Sequence, residues 1–142
     1  MLKMKPTSFT LNHPVGISIS SSLVESSLPT SDVIEKRDMK NDYIWYDVAP
    51  ANIYDRLIAI SLCFHNGLID SVSIYACHEG DFTKSWGDWS ETTERSNAEA
   101  VKAWLTSLGY PAGVYDWGEV WAGYDAKSAS GYGGIRYNPA NQ

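Results

Sequence analysis

Long hydrophobic runs are missing from this 142-residue chain. No stretch approaches the ~20 consecutive apolar residues that a membrane-spanning helix needs. The opening segment is expected not to be a secretory signal. Its apolar stretch from Phe9 to Ile19 is broken by Asn12, His13 and Pro14, whereas a signal core runs for about 7–15 apolar residues. Cysteine is nearly absent: Cys63 and Cys77 do not make the framework that staples small secreted domains. These readings point to a cytoplasmic protein. Positive charge is scarce as well. Eleven Lys and Arg stand against 17 Asp and Glu, a formal net charge of −6. A nucleic-acid binder needs a basic face to meet phosphates, so the balance argues against that class and suits a basic partner.

Signature motifs are missing too. There is no GxxxxGK[ST], no GxGxxG after a strand, no GxSxG and no HExxH, which removes the commonest nucleotide, hydrolase and metalloprotease readings. Gly131-Tyr132-Gly133-Gly134 is glycine-rich, but no helix follows to hold an anion. It reads as a turn and strand where glycine permits a bulge or a close backbone approach. What the chain does have is apolar and aromatic content: 44% hydrophobic, 13% aromatic, six Trp and nine Tyr. That suffices for one well-filled core, and the length fits a single domain over 1–142.

The clearest local pattern runs from Arg56 to Cys77. Ile58, Ile60, Leu62 and Phe64 alternate with Leu57, Ala59, Ser61 and Cys63; beyond His65-Asn66-Gly67, Leu68, Val72, Ile74 and Ala76 continue an alternation. This is a β-hairpin. A three-residue loop would pair Phe64 with Leu68, Ile60 with Val72 and Ile58 with Ile74, whereas a two-residue Asn66-Gly67 turn would pair Ile60 with Ser73. The first register sets apolar against apolar and is preferred. It places Cys77 opposite Asp55, roughly 26 Å along the strands from Cys63 and beyond disulfide reach. Upstream, Phe9–Leu11 and Val15–Ile19 read as short strands separated by His13-Pro14, residues 20–42 as a loop with a helical turn near Asp32–Lys36, and Tyr43–Val48 as a strand stopped by Pro50.

Glu79–Gly87 reads as a loop. A helix over about 89–108 follows, capped by Asp88 or Ser90, carrying Ala100, Val101, Trp104, Leu105 and Leu108 on one stripe and ended by Gly109 and Pro111. Glu119–Tyr124 and Tyr132–Tyr137 form a last hairpin. Strands, hairpin, helix, hairpin is no β-α-β series, so the fold expected is α+β: an antiparallel sheet of about five to seven strands with one main helix packed on a face.

Three constellations bear on chemistry. Cys63, His65, Cys77 and His78 are soft ligands, but they sit at opposite ends of one hairpin, so a four-ligand zinc site does not form from them. Asp116, Glu119 and Asp125 lie among Tyr115, Trp117 and Trp121, the mixture of carboxylates and aromatics found at sugar sites, where catalysis needs two carboxyls at a set separation. Glu79–Glu94 holds five acids and one base, Lys84, interleaved with Phe82, Trp86 and Trp89. Acids steer a basic partner and aromatics anchor it, so Glu79, Asp81, Trp86, Asp88 and Glu91 are the expected partner contacts. The plainer account of the same segment is a loop with helix-start acids that suit the dipole.

Residues 58–137 also carry a family resemblance. Phe64-His65-Asn66-Gly67-Leu68-Ile69-Asp70-Ser71-Val72, Trp86-Gly87-Asp88-Trp89-Ser90-Glu91 and the end from Tyr115-Asp116-Trp117-Gly118 through Tyr124-Asp125-Ala126-Lys127-Ser128 resemble, in that order, the hairpin, loop-helix and terminal hairpin of small cytosolic immunity proteins encoded beside polymorphic or contact-dependent bacterial toxins. Asp116 stands where that pattern has Pro or Ser, and Ala129 where it has Gly. The resemblance implies a non-enzymatic inhibitor with no metal and no cofactor, binding a cognate and basic toxin domain. The competing expectations are a small enzyme or ligand-binding domain with a pocket between sheet and helix, and a structural subunit of a larger assembly.

Overall fold

A computed structural model of the chain describes residues 6–77 and 90–138. Its elements run in the order β1 (Leu11–His13), β2 (Ile17–Ile19), a 3-10 turn (Glu25–Ser27), β3 (Ile34–Asp38), β4 (Tyr43–Ile53), β5 (Arg56–His65), β6 (Leu68–Ala76), α1 (Glu91–Ser107), β7 (Gly113–Tyr115), β8 (Gly118–Asp125) and β9 (Ser130–Tyr137). Seven strands form one antiparallel sheet in the order β3-β4-β5-β6-β9-β8-β7, and β1 and β2 form a separate hairpin. The fold is α+β, as the order of patterns requires. After β6 the chain re-enters the sheet at its far edge, so β9 returns to lie beside β6.

Three local expectations are corrected. In place of the expected helical turn at Asp32–Lys36, Asp32 and Val33 form a turn that leads into the edge strand β3 from Ile34, and the 3-10 turn lies earlier. The charged run Glu35-Lys36-Arg37-Asp38 suits an edge, where charge discourages pairing with another chain. Pro50 does not stop β4. It sits in a register shift between Val48 and Ala51, after which the strand continues to Ile53; a bulge is one of the places where a strand tolerates a residue without N–H. The central hairpin turns on two residues, His65 pairing with Leu68, and Asn66 and Gly67 both have positive φ (53° and 79°). Asn-Gly supplies that geometry at little cost. A register shift at Cys63/Phe64 leaves Asp70 as the extra residue, so Ile60 faces Ile74, Leu62 faces Val72 and Ile58 faces Ala76. The turn obeys local backbone preference, and the bulge restores the apolar pairing. Cys77 then lies beside Leu57, whose carbonyl accepts its N–H at 2.9 Å, and no disulfide joins it to Cys63.

One face of the sheet is covered. Ile58, Ile60, Leu62, Val72, Ile74, Val120 and Ile135 point into a core closed by Val101, Trp104 and Leu105 of α1 and by Phe9, Leu11, Ile17, Ile19 and Leu23 of the N-terminal segment. Helix α1 begins where Ser90 Oγ accepts the Thr93 N–H at 3.4 Å and ends at Gly109, whose φ of 97° lets Tyr110 N–H reach back to the Leu105 carbonyl at 2.8 Å. Glycines let the helix settle closely. A Cβ on Gly131 would stand 1.6 Å from the Glu94 carbonyl oxygen, and one on Gly133 would stand 2.6 Å from Val101 Cγ1. The close-approach reading of the Gly131–Gly134 run is therefore correct.

The β1–β2 turn holds a buried titratable group. His13 is 5% exposed; its Nδ1 accepts the Val15 N–H at 3.0 Å, which leaves the proton on Nε2, a buried atom with no hydrogen-bond partner. Burial lowers the His13 pKa below the ordinary 6.5. The unfolded chain therefore takes up this proton first as pH falls. The contribution is complete above 6.5 and is lost below it, down to the folded pKa. Urea titrations between pH 7 and pH 5 should show stability falling with a slope of at most about 1.4 kcal/mol per pH unit from this group, flattened in His13→Gln. An unchanged slope in that variant assigns the loss elsewhere.

Candidate docking face

The opposite face of the sheet carries no helix among the described residues. Strand alternation puts Glu35 and Arg37 of β3, Trp45 and Asp47 of β4, Ala59, Ser61 and Cys63 of β5, Ser71, Ser73 and Tyr75 of β6, Tyr132 and Gly134 of β9, and Glu119, Trp121 and Asp125 of β8 on that side. The centre is paved with small side chains. Trp121 rests over Gly134, where a Cβ would stand 3.3 Å from its Nε1, and meets Tyr132 edge-on at 4.7 Å between ring centroids. Trp45 lies under the Arg37 guanidinium, 5.5 Å from the ring centre. Between these aromatic walls runs an open trough of about 620 Å³.

The trough deepens where two strands part. β6 pairs with β9 only over Ser71–Ile74, and beyond that point Tyr75 and Tyr132 diverge. The first turns of α1 fill the gap from behind. Asn97, 1% exposed, donates from Nδ2 to Tyr75 Oη at 2.9 Å, and Glu94 Oε1 accepts the Gly131 N–H at 3.0 Å. The Tyr75 hydroxyl points at the Glu94 carboxylate, 3.3 and 3.4 Å from its two oxygens.

Charge in the trough is fixed by hydrogen bonds. Asp47 takes both Nε and Nη2 of Arg37, the latter at 2.8 Å, and the Ser61 hydroxyl at 2.7 Å. The Arg37 bond, reinforced by Ser61, holds its carboxyl below the ordinary carboxylate range. Asp125 is lowered chiefly by the Lys127 backbone N–H at 2.9 Å and accepts from Tyr132 Oη at 3.4 Å. Burial and this neighbouring carboxylate raise the Tyr132 phenol. The Cys63 thiol, 2% exposed beneath the same face, is pushed up to about 11 by burial and then by Asp70. It is protonated at neutral pH and is not poised as a thiolate.

The expected site residues fall as follows. Glu79, Asp81, Trp86 and Asp88 lie outside the described residues, as does His78. Glu91 is exposed in the first turn of α1 and forms an i,i+4 ion pair with Arg95 at 2.8 Å; Arg95 in turn sits over the Tyr124 ring at 4.6 Å. That contact serves the helix and its seat on β8. Asp116, Glu119 and Asp125 are not brought together. Asp116 is in the β7–β8 turn, and Glu119 and Asp125 are six residues apart on one strand, a separation of roughly 20 Å. Tyr115 and Trp117 stack on one another at 5.1 Å, and Trp117 Nε1 donates to the Pro6 carbonyl at 3.0 Å, so this pair closes the end of the core. Among the described residues no group of three His, Cys, Asp or Glu side chains is placed to hold a metal ion, and no helix is long and apolar enough to cross a membrane. The space between sheet and helix is occupied by Val101, Trp104 and Leu105.

The residues of this sheet face carried one sequence signal. Ala59, Ser61, Ser71 and Ser73 are small and alternate with the core positions, as a face left without a covering element would show. Comparison of the chain with protein-family models, curated proteins and solved structures finds no match.

Proposed function

We propose that the chain is a non-enzymatic binding protein, an immunity-type inhibitor that masks a cognate toxin domain by docking its uncovered sheet face on it. The observation that carries this reading is the one-sided sheet. Among the described residues, the seven strands are covered on a single face, and the other presents aromatic walls around a floor of small side chains. Such a face offers anchors and a shallow receptor in one surface. The sheet edges support the same choice. β3 is a run of charges and β7 has three residues, so neither invites strand addition. The net charge of −6 favours encounter with a basic domain, and masking by the face needs no cofactor.

The test is co-purification of the tagged chain with the product of the adjacent reading frame, followed by hydrogen exchange on the complex. A 1:1 complex that neutralises a toxic activity, with new protection in Tyr43–Asp47 and Trp121–Asp125, is the expected result. Absence of any complex overturns the immunity reading. Protection confined to α1 overturns the choice of face.

A further inference from the structure

One end of the proposed docking face is apolar and exposed. Among the described residues, six large apolar side chains are exposed: Val33, Met39, Tyr43, Tyr54, Leu68 and Val114. Such residues scattered singly are ordinary on a protein surface, whereas contiguous ones mark contact sites. Val33, Tyr54 and Val114 stand singly, before β3, in the β4–β5 turn and on β7. The other three fall in one row. Tyr43 pairs with His65, and His65 with Leu68; the Met39 N–H reaches the Tyr43 carbonyl at 3.4 Å. Strand alternation puts Tyr43 on the side of Trp45 and His65 on the side of Cys63, and cross-strand partners share a face. The His65 ring stacks on Tyr43 at 4.6 Å and bridges toward Leu68. The result is a strip across four strands, roughly 14 Å long at the usual strand spacing, one step beyond Trp45 on the docking face.

The strip and the trough differ in what they offer. Arg37 and Ser61 both bond Asp47 in the trough, so these groups answer one another and give a partner shape more than unmet bonds. The strip holds apolar area still in water, and burying it is a direct gain. Its rim is acidic: Asp38 and Asp42 in the β3–β4 turn and Asp70 at the β6 bulge stand against Lys40. We infer that the strip is the anchor of the docking face, and that it takes an apolar side chain carried between lysines or arginines on a basic segment of the toxin. The inference rests on the proposed docking face and locates where its binding energy is concentrated. The rim disfavours two other occupants. A second copy would set acids against acids in a chain of net charge −6, and an anionic membrane surface would meet the same repulsion.

The test uses the whole chain, labelled with ¹⁵N, titrated at low salt with three hexapeptides. The first has a leucine-phenylalanine pair between two lysine pairs, the second the same pair between two glutamate pairs, and the third a serine pair between two lysine pairs. The expected result is amide shifts centred on Tyr43, His65 and Leu68 with the first peptide, and binding at least tenfold weaker for the other two. Leu68→Ser and Tyr43→Ser should each raise the Kd of the first peptide at least fivefold, and Asp42→Asn severalfold. Val114→Ser, at a position 82% exposed on β7, should leave it unchanged. All four positions are exposed, and asparagine tolerates the positive φ of Asp42 (72°), so thermal midpoints close to that of the unaltered chain establish that each variant is folded. Absence of binding, shifts away from the strip, equal binding of the three peptides, an unchanged Kd in either apolar strip variant, or an equal rise in Val114→Ser overturns the inference. A toxin complex indifferent to Leu68→Ser and Tyr43→Ser also overturns it and leaves the immunity reading standing. Binding of the first peptide at the strip with no toxin complex supports the strip and overturns that reading.

Discussion

Gly131→Ala is expected to destabilise the protein by about 3 kcal/mol, at the upper end of what an inserted core methyl costs, lowering the thermal midpoint by about 10 °C for a chain of this size. The cause is local. The new Cβ would lie 1.6 Å from the Glu94 carbonyl oxygen, 2.5 Å from its carbon and 3.2 Å from the Ala98 nitrogen. All three are helix backbone, so no side chain can rotate away, and relief requires lifting the first turns of α1 off β9. That movement also breaks the Gly131 N–H to Glu94 bond and withdraws the carboxylate that orients Tyr75, so the trough is disturbed together with the fold. Gly123→Ala on β8 is the control. Its Cβ meets nothing within 4 Å, and alanine reduces the freedom of the unfolded chain, so stability should stay level or rise by about 0.5 kcal/mol. Urea unfolding of the two variants checks the pair. Equal midpoints would mean that the helix accommodates the methyl and that the close approach is not a constraint.

The elements that could be read from the sequence are those whose local and tertiary preferences agree. Ile58, Ile60, Leu62 and Phe64 alternate because one face of β5 is core, and Val101, Trp104 and Leu105 recur at helical spacing because one stripe of α1 is core. Preferences conflict at the hairpin. Asn66-Gly67 asks for a two-residue turn, and apolar matching asks for another register. A bulge at Asp70 satisfies both, and nothing in a single strand's alternation announces where a bulge falls. β3 was hidden for a different reason: Glu35-Lys36-Arg37-Asp38 is polar because an edge strand must be, and polarity reads as loop. Pro50 was hidden likewise, since a bulge spares it the ladder bond that a strand interior demands. The trough was illegible as a site. Its members come from strands as far apart in sequence as Arg37 and Tyr132, and only the β6–β9 pairing brings Ser73 beside Gly134. The sequence drew attention instead to the acid-rich segment Glu79–Glu94, of which Glu91 and Glu94 are described, and their roles differ. Glu91 pairs with Arg95 on the surface, while Glu94 reaches Tyr75 and Gly131 behind the trough.

Trp104→Ala is the second large effect, a loss of about 4 kcal/mol, as expected when a buried tryptophan is cut to a methyl. Trp104 is 4% exposed, and its indole N–H donates to the Ile53 carbonyl at 3.1 Å. That carbonyl closes β4, while α1 makes most of its contacts with β8, β9 and β6, so this one side chain links the helix to the other half of the sheet. Trp104→Phe separates the two contributions. It keeps most of the packing and removes the indole bond to that carbonyl, costing about 1 kcal/mol. Equal losses in the two variants would assign the link to the hydrogen bond alone, and a loss below about 1 kcal/mol in Trp104→Ala would mean that the helix does not depend on it. The position also divides stability from recognition. Trp104 lies on the covered face, so either variant is expected to change stability and leave the side chains of the other face as they are. Stability can be lost from behind the proposed docking face without altering the side chains on that face, and urea unfolding of these variants measures that loss by itself.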